Sequence, residues 1–145
     1  MHMKHLSIFI AALFLTTTAF AEAPKWGNDV SKAISAAGRD KKLGFILMGR
    51  EACSNCQATR GLVNEGKVPV TADVFVIADI NVDDQKASSE FNKKFKKEKF
   101  GDTLPFVVIT DSKGKALASY NGFKDAAALT AMIEDAKKKA AAAPK

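Results

Sequence analysis

Two cysteines, Cys53 and Cys56, are the only thiols in a chain of 145 residues. Ser54 and Asn55 separate them inside "GREACSNCQATR", Gly49 to Arg60. Thiols at this spacing can close a disulfide and exchange it with a disulfide in another molecule. Two thiolates can also hold Cu(I). A purely structural bridge is a poor use of the spacing, because chain-entropy stabilisation grows with loop length and this loop is very short. No Met or His stands nearby in sequence as an auxiliary copper ligand. Disulfide exchange is therefore the leading chemistry.

The two histidines are His2 and His5. They sit in a segment with the layout of a secretory signal peptide. A short basic start carries Lys4, Leu6 to Leu15 is an apolar run, and "AFA" at Ala19 to Ala21 supplies small residues for cleavage. A membrane anchor is the competing reading, but the run is shorter than the roughly 20 residues that span a bilayer. The expectation is export, to the periplasm or beyond, with cleavage after Ala21. Removing 21 of 145 residues leaves 124, one domain's worth of chain. The expected domain is 22–139, followed by a disordered tail at 140–145. A mature chain without histidine cannot build a Cys-His nucleophile or a Cys2His2 zinc site. Attached c-type haem is excluded too, because Gln57 follows the second Cys.

The leader takes one of 22 basic residues and none of 16 acidic ones, so the mature net charge is +5. Lysines spread through Lys86 to Lys99 and the tail, and the two aromatics among them, Phe91 and Phe95, fall on the apolar stripe of a helix. The lysines read as solvated faces, and no nucleic-acid partner is expected.

The elements that position the thiols follow from periodicity. Val30, Ala33, Ile34 and Ala37 mark a helix capped by Asn28 or Asp29 and stopped by Gly38. "LGFILMG", Leu43 to Gly49, is a continuous apolar run, as in a strand covered on both faces. A helix is expected from about Cys53 to Val63. Val74 to Val82 reads as a second buried strand. Ala87, Phe91 and Phe95 mark a helix within Lys86 to Phe100. Pro105 to Thr110 is a third strand, "DSKG" a turn, and a fourth strand ends at Tyr120, the last two forming a hairpin. A final helix starts near Lys124. Alternating strands and helices predict an α/β fold, a central mixed sheet of about four strands with helices on both faces.

This order puts Cys53 at a helix N-terminus, where unpaired N–H groups and the helix dipole favour a thiolate. Its pKa is expected to fall. Arg50 and Arg60 add positive field and Glu51 opposes it. Cys53 is the expected attacking sulfur and Cys56 the resolving one.

The chain resembles the thioredoxin superfamily over nearly all of the mature sequence. The resemblance rests on Cys-x-x-Cys after a strand, "ADINVD" in the next strand, "TLPF" opening the one after, "GKALASYNGF", and a final helix. It is most similar to periplasmic thioredoxin-like domains such as the C-terminal domain of DsbD-type disulfide reductases. The resemblance implies a thioredoxin-like fold and a cis Pro105 lying against the thiols. It implies that the backbone of Leu104 pairs with a substrate strand and that Ala52 borders the same site. It also implies protein thiols or disulfides as substrates, no soluble cofactor, and a membrane-bound redox partner for a monomeric protein.

Three departures stand out. Ala52 replaces the usual Trp, Ser54-Asn55 is a distinct dipeptide, and the family's buried acid and its lysine neighbour read Leu47 and Asp79. The expectation is that the carboxylate has changed strands. Asp79, beneath Cys56 with its pKa raised by burial, would take the proton. The competing class is a non-catalytic module that binds Cu(I) or a protein partner through the thiol pair.

Overall fold

The computed structural model describes residues 24–143. The expected leader, Met1 to Ala21, lies outside the described residues. Strand β1 (Trp26–Gly27) leads into helix α1 (Val30–Asp40). Then come β2 (Leu43–Gly49), α2 (Ser54–Asn64), β3 (Phe75–Asn81) and α3 (Gln85–Lys94). The chain closes with β4 (Phe106–Thr110), β5 (Ala116–Asn121) and α4 (Ala126–Ala142).

The sheet has five strands in the order β1-β3-β2-β4-β5. The first three run parallel, and β4 and β5 are antiparallel to their neighbours. The fifth strand corrects the expectation of about four. Two residues are too few to show periodicity, so β1 has no signature of its own in the sequence. The expected β4–β5 hairpin is present, with Gly114 at φ 77° in its turn.

Strand β2 sits at the centre because it is apolar on both faces. Phe45 and Leu47 point one way, Ile46 and Met48 the other, and all four are buried. Each such side chain contributes about 1.5–3 kcal/mol. On one face Phe45, Leu47, Ile77, Val107 and Ile109 pack with Val63 of α2 and with Leu129, Ile133 and Ala136 of α4. On the other, Ile46, Met48, Ala78, Ile80 and Val108 pack with Val30 and Ala33 of α1 and Phe91 of α3.

Three boundaries differ from the sequence expectation. Gly38 does not stop α1, which continues to Asp40 and ends at Lys41 with φ 53°. A Cβ on Gly38 would stand 3.1 Å from the Ser112 carbonyl oxygen, so the glycine serves a close approach to the β4–β5 turn. Helix α3 ends at Lys94, before the expected Phe100. Phe100 instead stacks on Phe106 at 4.9 Å and approaches Phe91 at 5.9 Å, a position that a continued helix would not give it. Helix α4 runs to Ala142, so residues 140–142 are helical rather than part of a disordered tail. Among the described residues no helix is long and apolar enough to cross a membrane.

Candidate active site around Cys53 and Cys56

Strand β2 ends at Gly49, and an exposed connection through Arg50, Glu51 and Ala52 delivers the chain to α2. Cys53 is the N-cap of that helix, its backbone extended at φ −87°, ψ 114°. Its Sγ accepts a hydrogen bond from the Cys56 backbone N–H at 3.2 Å. A helix-start donor is thus aimed at the first sulfur, as the sequence expectation requires. Cys53 and Cys56 are joined by a disulfide, with their Cα atoms 5.2 Å apart. The two sulfurs differ in access. Cys53 is half-buried, and Cys56 is fully buried. A Cβ on Gly49 would lie 2.7 Å from the Cys56 Sγ, so glycine lets the end of β2 press directly against the second sulfur.

The Leu104–Pro105 peptide bond is cis. Pro105 is buried and Leu104 half-buried. Asn55, between the two cysteines, donates from Nδ2 to the Leu104 carbonyl at 3.4 Å. The thiol turn and the segment before β4 are therefore in contact. Gly122 N–H donates to the carbonyls of Thr103 and Pro105, both at 2.9 Å, which ties that segment to the exit of β5. Ala52 is exposed on the same approach.

Asp79 lies on β3, in register with Leu47 of β2. It shares the sheet face of Phe75 and Ile77, the face that α2 covers. There it meets Arg60. The guanidinium donates from Nε at 2.6 Å and from Nη2 at 3.0 Å to the two carboxylate oxygens. Neither side chain is sealed, at 18% exposure for Arg60 and 27% for Asp79. The expectation of a buried Asp79 carboxylate is thereby corrected, because the strand end opens to solvent and the acid is held in an ion pair. Arg60 Nη1 also donates to the Arg50 carbonyl at 3.3 Å, and Gln57 Nε2 to the Glu51 carbonyl at 2.7 Å. Two α2 side chains thus hold the connection that precedes Cys53. This corrects the role given to the two arginines. Arg60 pairs with Asp79 and Arg50 with Asp83 at 2.9 Å, so each spends its charge on its own carboxylate.

Sequence reasoning gave Arg60 no structural partner and gave Asn55 and Gly49 no site role. Arg60 carried a signal, because it stands four residues after Cys56 and so shares its helix face. Asn55 and Gly49 carried none beyond adjacency to the motif.

Tyr120, at the end of β5, is buried with its hydroxyl unpaired. Burial pushes its phenol well above the ordinary range, an effect that the neighbouring Thr59 hydroxyl only partly opposes. A cleft of about 380 Å³ opens beside the thiols, lined by Gly49, Arg50, Glu51, Arg60, Asp79 and Asn81. A larger one, about 770 Å³, lies at the far end of α2 between Val63 and Thr71, away from the sulfurs. Among the described residues no group of three or more His, Cys, Asp or Glu converges as a metal site.

No protein-family model matches the chain, and no curated protein matches it. Solved structures do. A mutant thioredoxin from Halobacterium salinarum NRC-1 superposes with a TM-score of 0.57 at 19% identity, over 81% of this chain and 93% of that one. Thioredoxin-2 of the malaria parasite gives a TM-score of 0.48 at 16% identity, over 64% and 82%. A disulfide isomerase from Xylella fastidiosa Temecula1 gives 0.45 at 24% identity, over 76% of each chain. With its five-stranded mixed sheet, flanking helices and Cys53–Cys56 disulfide at the start of α2, the chain has the thioredoxin-like fold.

Proposed function

We propose that the protein is an exported thiol-disulfide oxidoreductase that reduces disulfides in other proteins. The observation that carries the reading is the unequal disulfide. One sulfur is half-exposed at a helix start, two residues before the Asn55 that donates to the Leu104 carbonyl, and the other is buried. In the reduced protein the Cys53 thiolate attacks one sulfur of a substrate disulfide. The substrate S–S bond breaks, a mixed disulfide forms, and the first substrate thiolate leaves. Cys56 then loses its proton and attacks Cys53 Sγ. The mixed disulfide breaks, the second substrate thiolate leaves, and the Cys53–Cys56 disulfide remains. Two electrons have passed to the substrate, and a dithiol partner, membrane-bound in this reading, returns them.

Asp79 takes the Cys56 proton, with Arg60 orienting its carboxylate. Leu104, Pro105 and Ala52 form the substrate contact. Reduction is favoured over oxidation because no His lies between the cysteines to stabilise the thiolate further.

Insulin reduction by a dithiol-fed protein tests the reading. Cys53→Ser should abolish turnover, and Asp79→Asn should slow resolution of the mixed disulfide at neutral pH. Turnover that survives Cys53→Ser would transfer the thiol pair to the non-catalytic reading, in which it binds Cu(I) or a partner. Unchanged kinetics of Asp79→Asn across pH would remove Asp79 from the mechanism.

A further inference from the structure

The sheet has two ends. Gly49, Asn81, Phe106 and Asn121 mark the thiol end, and Leu43, Phe75, Thr110 and Ala116 mark the other. Helices α1, α3 and α4 all finish toward this second end, which collects lysines from three separate segments. Lys41 follows α1. Lys94, Lys96 and Lys97 close and follow α3, and Lys113 and Lys115 lie on the β4–β5 turn. They are brought together in two adjoining clefts. One holds Lys94, Lys96, Lys97 and Lys115, and the other holds Lys41 and Lys113 beside Ala140 and Ala143 of the α4 terminus. All six are exposed, and among the described residues none is in an ion pair. The two acids in these clefts are already engaged. Asp111 accepts from the Lys113 and Lys115 backbone N–H groups, and Glu98 from the Ser119 hydroxyl. Six lysines against two acids leave a net +4 on the lining of these two clefts. The dipole of α3 accounts for Lys94, in its last turn. It does not account for lysines on a turn or past a helix end.

We propose that this end of the molecule is a docking surface for an anionic lipid membrane. Three kinds of polyanion would answer to such a charge, and the surroundings choose among them. A protein partner would want an aromatic or apolar centre to the patch. The one exposed large hydrophobic side chain among the described residues is Phe123, which follows β5 at the thiol end. Single-stranded nucleic acid would want exposed aromatics for stacking, and the two clefts expose none. The lysines do not form a stripe that tracks a backbone. They come from the ends of α1 and α3, on one face of the sheet, and from the β4–β5 turn. With the α4 terminus they border two clefts at one end of the sheet, a surface that can meet a plane of headgroups. A chain docked this way carries its sulfurs on the side turned away from the lipid.

The test is co-sedimentation of the full chain with vesicles. Phosphatidylglycerol-phosphatidylcholine vesicles are compared with pure phosphatidylcholine vesicles, which report any pull by the apolar N-terminal run. The fourfold variant Lys96→Gln, Lys97→Gln, Lys113→Gln, Lys115→Gln is compared with the parent. The parent should prefer anionic vesicles and lose that preference in about 1 M salt, where the Debye length is about 3 Å. The variant should bind them at least roughly tenfold more weakly, with insulin reduction and the thermal midpoint unchanged. Equal binding to neutral and anionic vesicles, or equal binding by the variant, overturns the proposal. So does release from the vesicles by duplex DNA at matched phosphate concentration. Insulin reduction is read separately, so failure of the lipid proposal leaves the thiol chemistry standing, and the reverse.

Discussion

The thiol end and the lysine end of the sheet are built from the same helices, met at opposite termini. At the thiol end three helix starts are capped by carboxylates. Asp29 accepts from the Lys32 N–H, Asp84 from those of Lys86 and Ala87, and Asp125 from that of Ala128. The fourth, α2, is capped by the Cys53 sulfur. A position that elsewhere in the protein holds a negative oxygen here holds sulfur. The thiol therefore inherits a setting made for an anion, because the local geometry that suits a carboxylate also suits a thiolate. At the lysine end the helix termini need positive charge, but the chain supplies more than they can use.

The two ends also differ in tolerance, and substitutions measure the difference. Gly49→Ala should have the largest effect. Its methyl group would meet a sulfur that the disulfide holds in place, so a loss of about 1–3 kcal/mol is expected in urea unfolding of the oxidised protein. A wild-type midpoint would mean that the end of β2 yields to the added methyl. Asp84→Ala, which removes the α3 cap, should cost about 1 kcal/mol. Tyr120→Phe tests the same end by pH. The folded protein holds its phenol protonated, while an unfolded chain ionises it near 10.0. The stability that results is complete below pH 10.0 and falls as pH rises above it. The variant should lack that alkaline decline. An identical decline in both proteins would locate its cause elsewhere. Lys96→Gln at the other end should change stability by no more than about 0.5 kcal/mol. A larger loss would show that the lysine end is structural after all.

The parts of this arrangement that were legible in the sequence are those written in consecutive residues. Leu43 to Gly49 has the bounds its apolar run suggests, because a strand covered on both faces leaves no polar position to confuse. Cys53, Cys56 and Pro105 were legible as a motif. What escaped was set by contacts between distant segments. Gly38 looks like a helix stop, but its lack of a side chain answers to Ser112 on another turn. Arg60 and Asp79 are 19 residues apart on a helix and a strand, and neither names the other in sequence. The lysines read as ordinary solvated faces because each falls on the polar side of its own segment. The fold adds them up.

The bare Cα of Gly49 against the buried sulfur has one more consequence. It packs the end of β2 against a second sulfur that is fully buried. The order of attack in this protein is then a matter of access as much as of acidity. A bulky alkylating reagent added to the reduced form should mark a single thiol per molecule, and replacing the shielded one should leave a substrate stranded on the other, ready to be identified.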